Sequence, residues 1–200
     1  MNFKDYKTAS ERHLETCLKL KDFVLNNLSN THLTYNDIKI KNEVLGNVYY
    51  LSGYVIECIV NYGMLVYIDF DKICKKENIN SVYQLKLKHN KAKISYSSKD
   101  DYNAKYYLCQ TSHKQFERNP NIFFFDQEAK IQGAEIDQIK NKLNNATTKT
   151  LFKNWCVKSR YTINPVILSG NTVNQSAVFD FLDFAQLVNT NLTNHIIPKL

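Results

Sequence analysis

Glycine and proline are scarce in this chain, which has only five Gly and three Pro among its 200 residues. All-β sandwiches and doubly wound α/β folds need many tight turns, and those turns draw on Gly and Pro. The hydrophobic fraction of 44% and the charged fraction of 22% are close to globular averages, which excludes wholesale disorder. The composition therefore favours a mostly helical protein, and the length favours one domain, or one domain with a substantial insertion.

Apolar residues recur at helical spacing along most of the chain. This pattern predicts a first helix at about 5–28 and, after a polar stretch over 29–42, a second helix at 47–67. The second helix is apolar on nearly every side, as is typical of a helix at the centre of a bundle. The predicted starts of the further helices are the capping residues Ser81, Ser98, Asp126 and Thr148 and, for the last helix, a position near 173.

The connections between these helices complete the predicted fold. The apolar run Ile122–Phe125 is either a strand or a buried connector, and we favour the connector. The helix that contains Trp155 is expected to end near Arg160, and the segment 162–171 is predicted to be a loop. The whole pattern predicts an all-α fold, an up-and-down bundle of five to seven helices.

One stripe of the second helix is polar. Its residues Tyr50, Tyr54, Glu57 and Asn61 are spaced i, i+4, i+7 and i+11, so they must lie on one side of the helix. We predict that Tyr54, Glu57 and Asn61 are buried polar residues and that the Glu57 carboxylate has a partner, because an unpaired buried charge is costly. In a bilayer, Glu57 would cost about 2.5–3.5 kcal/mol, so we expect no membrane span.

Positive charge is concentrated in one part of the chain, whose formal net charge is +7. The segment from Lys75 to Lys105 has eight lysines against three acidic residues. Such a segment is either a solvated loop or a surface that neutralises phosphates. On the second interpretation, the partner is polyanionic, and the candidate phosphate-binding lysines are Lys86, Lys88, Lys91 and Lys93.

Several sites are excluded by spacing. The five glycines cannot form a GxGxxG fingerprint or a phosphate-binding loop, and the histidines never fall in HxxxH or HExxH spacing. No two cysteines form a CxxC pair. We therefore expect no metal and no cofactor. The five dispersed cysteines and the polar N-terminal sequence favour a reducing, cytoplasmic location.

The segment Tyr49–Cys58, with the sequence YYLSGYVIEC, resembles the second helix of prokaryotic HEPN-domain proteins, which commonly carry the pattern YLxGYxxEC. Three further features are similar in order and spacing: a first amphipathic helix, the lysine-rich run Lys86–His89, and the segment Trp155–Tyr161. A long C-terminal helix completes the resemblance. It spans about 5–195, with a divergent or inserted middle at about 95–145, and implies a single HEPN-like helical domain over 1–200.

The resemblance also implies a function. HEPN-domain proteins are bundles of four to five helices that often form homodimers. Many are metal-independent endoribonucleases of toxin–antitoxin or phage-defence systems, in which a partner protein comes from the same operon. For this chain, the resemblance implies RNA, a second copy of the chain and such a partner protein as candidate partners.

The family's catalytic motif, Arg followed by four to six residues and His, is absent, because none of the three arginines has a His at that spacing. Arg160 stands where the resemblance places the family's arginine, with Lys158 and Tyr161 beside it. Folding or dimerisation could bring His89 or His113 to Arg160; alternatively, Arg160 forms a salt bridge with Glu57. The sequence therefore leaves two functions open. One is a degenerate or weak RNA-directed ribonuclease module, and the other is a non-catalytic dimerisation or adaptor protein.

Overall fold

The structure is a computed structural model that describes residues 4–29, 32–67, 69–78, 125, 130–156, 167–170 and 172–200. Within these residues it is almost entirely helical, which confirms the predicted all-α fold. The helices and strands are α1 (Lys4–Asn27), α2 (Tyr35–Tyr67), α3 (Phe70–Glu77), α4 (Ala134–Leu143), α5 (Ala146–Asn154), β1 (Leu168–Ser169), β2 (Thr172–Val173) and α6 (Gln175–Asn191). The helices predicted to begin at Ser81 and Ser98 lie outside the described residues.

Helix α1 packs antiparallel to α2. Near the start of α1, Ser10 Oγ donates a hydrogen bond to the Val55 carbonyl at 2.8 Å, and seven residues later Cys17 Sγ donates to the Val48 carbonyl at 3.8 Å. The partner on α2 moves towards its N-terminus as α1 advances, which defines the antiparallel direction. Ser10, Cys17 and Val24 follow a spacing of seven residues and are all fully buried. The first predicted helix is therefore confirmed to within one residue.

Helix α2 begins at Tyr35, twelve residues before the predicted start, so the prediction of a polar linker over 29–42 was wrong for most of that segment. The reason is a capping box. The Thr34 backbone N–H donates to Asp37 Oδ2 at 2.9 Å, and the Asp37 N–H donates to Thr34 Oγ1 at 3.2 Å. This reciprocal pair stabilises a helix start ahead of the apolar stretch.

Helix α4, in contrast, begins later than predicted. The expected start was Asp126, but the helix begins at Ala134. Lys130 and Gly133 have φ values of 56° and 149°, which are incompatible with a continuous helix through this segment. Ile136, Ile139 and Leu143 of this helix are buried.

Helix α5 is shorter than predicted. Its N-cap is Asn145, whose side chain accepts a hydrogen bond from the Thr148 N–H at 3.0 Å, so the prediction of Thr148 as the cap was wrong. The helix ends at Asn154, not near Arg160, because Trp155 has an extended backbone with ψ of 134°. Trp155 is nevertheless completely buried, as predicted.

A short antiparallel hairpin lies in the region predicted to be a loop. Strand β1 pairs with β2, with Leu168 opposite Val173. Gly170 has a φ of 64° in the turn, a conformation that favours glycine. Asn42 Oδ1 accepts a hydrogen bond from the Val173 N–H at 2.9 Å and so attaches the hairpin to α2.

Helix α6 crosses the bundle and packs on α1, α2, α4 and α5. The Asn174 side chain caps it by accepting from the Ala177 N–H at 3.0 Å, and the chain continues beyond the helix as a π-helical turn over Leu192–Ile196. The buried apolar residues of all these elements form one core, with α2 at its centre. None of the described helices combines the length and hydropathy needed to cross a membrane.

Candidate functional site

The predicted phosphate-binding and catalytic residues lie outside the described residues. They are Arg160, His89, His113, Lys86, Lys88, Lys91, Lys93, Lys158 and Tyr161. The predicted salt bridge between Arg160 and Glu57 falls outside for the same reason. The polar stripe of α2 is described. Glu57 is 8% exposed and Asn61 is 7% exposed, in agreement with prediction, whereas Tyr54 is only half-buried.

Trp155 connects the end of α5 to the middle of α2. Its indole occupies the space next to Gly53, where a Cβ atom would overlap the ring. The indole Nε1–H donates a hydrogen bond to the Tyr50 carbonyl at 2.9 Å. Gly53 and Tyr50 lie about one helical turn apart on α2. The indole therefore fills the space beside Gly53 and, at the same time, its N–H group forms a hydrogen bond with the Tyr50 carbonyl.

Tyr54 is the centre of a group of aromatic rings between α1, α2 and Trp155. Its ring centroid is 5.2 Å from that of Trp155, 4.9 Å from that of Tyr50 and 5.9 Å from that of His13. The contacts with Trp155 and Tyr50 are edge-to-face, the geometry that aromatic pairs prefer. Tyr50, Tyr54 and His13 are each only partly buried. We call these three residues the aromatic face.

The Glu57 carboxylate affects the titration of its neighbours. Burial raises the pKa of Tyr54, and the hydrogen bond with Tyr50 and the charge of Glu57 raise it further. Burial also raises the pKa of Tyr6, and the neighbouring Cys58 and Glu57 raise it further. Both phenols are therefore neutral at physiological pH.

His13 stands at the α1 edge of the aromatic face. Burial lowers its pKa below the ordinary value of 6.5, and the neighbouring Arg12 guanidinium lowers it further. The imidazole is therefore neutral at pH 7. Arg12 itself is exposed, and within the described part of the chain it takes part in no ion pair.

Three lysines of α1 differ from Arg12 in this respect. Lys19 Nζ is 2.6 Å from Glu15 Oε1, and Lys21 Nζ is 3.0 Å from Asp183 Oδ1. Lys7 is 3.8 Å from Glu11. Arg12, the neighbour of His13, thus forms no ion pair with any of these acidic residues.

Sequence reasoning missed Arg12 and His13 as site residues, because Arg12 was considered only as the start of a catalytic motif and His13 only as a metal ligand. The approach of His13 to Tyr54 depends on the register of α1 against α2, which the spacing of apolar residues does not specify. Among the described residues, no three His, Cys, Asp or Glu side chains come together in a group that could hold a metal ion.

Comparison with known proteins adds no assignment to this geometry. No protein-family model, no curated protein and no solved structure matches the chain.

Proposed function

We propose that this chain is a HEPN-like, RNA-associated module of a bacterial toxin–antitoxin or phage-defence system, with weak or no metal-independent ribonuclease activity. The observation that supports the proposal is the contact between Trp155 and Gly53. The YLxGYxxEC-type motif and the Trp155–Tyr161 segment are far apart in sequence. In the all-helical bundle, Gly53 of the motif packs against Trp155, the first residue of the segment. The two parts of the resemblance therefore belong to one structural unit.

The expected weakness of cleavage follows from the missing motif. Metal-free cleavage of RNA needs a group that removes the 2′-hydroxyl proton, and Arg160 is a poor proton carrier. A positioned general acid or base contributes about 10²–10⁴ in rate. Phosphate binding needs only positive charge, so it survives the loss of that group.

RNA binding is tested by measuring the affinity of a fluorescein-labelled single-stranded RNA at several salt concentrations. The test variant replaces Lys86, Lys88, Lys91 and Lys93 with Gln. The matched control replaces four described lysines elsewhere, at positions 39, 72, 149 and 153, and so removes the same charge. We expect the test variant to bind more weakly, with a salt slope lower by about 0.7 for each lost contact, and the control to change less. Equal RNA affinity and equal salt slope of the wild type and the test variant would contradict the proposal.

Cleavage is tested on the same RNA in EDTA. We expect little or no product with 2′,3′-cyclic phosphate ends. Robust cleavage that disappears in Arg160→Ala would show that the module is an active ribonuclease and that another group replaces the missing His.

A second candidate is a non-catalytic dimerisation or adaptor protein, because three large apolar side chains of α1 and α2 remain exposed. Phe23 is 42% exposed, Leu25 45% and Ile40 36%. Sedimentation of wild type and of Phe23→Asn tests this function. A dimer that the substitution weakens, together with no RNA binding at low salt, would favour the adaptor.

A further inference from the structure

We infer that Arg12 and the aromatic face bind single-stranded RNA, with one unstacked base against Tyr50 and Tyr54 and the adjoining phosphate on Arg12. This inference rests on the proposed association with RNA. It names binding residues other than the lysines at 86–93 and specifies single-stranded over duplex RNA.

The rings are arranged for contact with a planar ligand. Tyr54 is supported from within the bundle by Trp155, which is 0% exposed, and from the side by Tyr50. A ring held by packing loses little entropy when a ligand stacks on it, so the free energy of stacking is retained. Tyr50, Tyr54 and His13 each keep a part of their surface open to solvent.

The charges around the rings determine how a nucleotide lies. Glu57 is buried on α2, three residues after Tyr54, and its charge contributes to the raised pKa of that phenol. Arg12 is exposed beside His13, whose pKa its charge lowers, and its guanidinium can form paired hydrogen bonds with a phosphate. A base over the tyrosines and a phosphate towards Arg12 is therefore the favourable orientation.

The same arrangement discriminates between single and double strands. In a duplex each base is already stacked between its neighbours, so it has no free π-face for a tyrosine. Bases of a single strand can stack on aromatic side chains, and this contact tolerates any base because every base has a π-face. We therefore expect the face to select strand state and not sequence.

The test uses the full chain and a single-stranded RNA 12-mer that carries one 2-aminopurine, whose fluorescence changes when it stacks on a ring. A hairpin duplex of similar length is the second probe. For Tyr50→Leu we expect binding of the 12-mer to weaken about 5- to 150-fold and the fluorescence change to shrink. Tyr50→Phe keeps the ring and should bind like wild type. Arg12→Gln, at an exposed position, should weaken binding and lower the salt slope, and Arg12→Lys should restore part of both.

The outcomes separate this inference from the proposed function. If wild type binds the 12-mer and the Tyr50→Leu and Arg12→Gln variants bind it equally well, the aromatic face is not the site, while the association with RNA stands. Tighter binding of the duplex also overturns the inference. If wild type binds neither probe at low salt, the proposed function fails and the inference with it. Circular dichroism melting shows whether each variant is folded. If Tyr50→Leu is not folded, the binding measured for Arg12→Gln decides the outcome.

Discussion

The indole of Trp155 occupies the volume that a Cβ atom on residue 53 would need, so position 53 of α2 must be glycine while Trp155 is present. Glycine in the interior of a helix is normally unfavourable by about 1 kcal/mol relative to alanine. In this helix the missing side chain makes room for the largest ring in the core, and the indole N–H reaches the Tyr50 carbonyl at 2.9 Å. The contact joins α2 to the end of α5.

The first prediction concerns this contact. Gly53→Ala should destabilise the fold by about 1–3 kcal/mol, because overpacking outweighs the gain in helix propensity. Urea denaturation followed by circular dichroism measures the change. In the double variant Gly53→Ala/Trp155→Leu, the smaller side chain leaves room for the new methyl group. Its loss of stability should therefore be less than the sum of the two single losses, and simple additivity would mean that the two positions do not interact.

The second prediction concerns a buried hydrogen-bond chain. Ser10 Oγ donates to the Val55 carbonyl at 2.8 Å and accepts from Asn189 Nδ2 at 2.7 Å, which links α1, α2 and α6. Ser10→Ala leaves the amide of Asn189 without this acceptor, and we expect a cost of about 1–3 kcal/mol in unfolding free energy. Adding Asn189→Leu removes the buried amide, so the double variant should regain part of that loss. A double variant no more stable than Ser10→Ala would argue against the chain of bonds.

The third prediction concerns pH. Burial, and to a smaller extent Arg12, hold the pKa of His13 below its ordinary value of 6.5. As the pH falls below that value, the unfolded chain binds a proton that the folded chain does not, so the folded state loses stability. His13→Gln should reduce the fall in Tm between pH 7.5 and pH 5. His32→Gln, at an exposed position of the chain, is the matched control and should leave the fall unchanged.

The fourth prediction concerns thiol reactivity. Burial raises the pKa of Cys17 and of Cys58 to about 12. Because only the thiolate reacts, roughly one thiol in 10⁴ is reactive at pH 8 even before steric protection is considered. Alkylation with iodoacetamide followed by peptide mass spectrometry should leave Cys17 and Cys58 unmodified in the native protein and modify both in guanidinium. The half-buried Cys156 should react sooner, and labelling of Cys17 at the unfolded rate would contradict the buried position.

Sequence patterns predict the helical class and the buried side of each long helix, since both depend on apolar spacing alone. The stripe from Tyr50 to Asn61 is an example, because helical geometry places these residues on one side whatever they contact. Helix ends are less predictable. The capping box of Thr34 and Asp37 is visible in the sequence but lies ahead of the apolar residues, and the break before Ala134 depends on a left-handed backbone at Lys130.

The aromatic face could be predicted only in part. The spacing of Tyr50 and Tyr54 places them together on α2, but the approach of His13 depends on how α1 aligns along α2. That register is set by hydrogen bonds such as Cys17 to Val48, between positions whose pairing no local rule specifies. Apolar spacing does not distinguish Arg12 either, because its role depends on the contact of its neighbour His13 with Tyr54 and on the ion pairs of the lysines of α1.

The antiparallel pairing of α1 and α2 also bears on the order in which the chain folds. Cys17 and Val48 are 31 positions apart, whereas Trp155 and Tyr50 are 105 positions apart. Loop-closure entropy grows with the length of chain that a contact encloses, so local pairings form at lower cost. We therefore expect the α1–α2 pair to form early in folding. Trp155 then docks on this pair late, after the α2 helix around Gly53 has already formed.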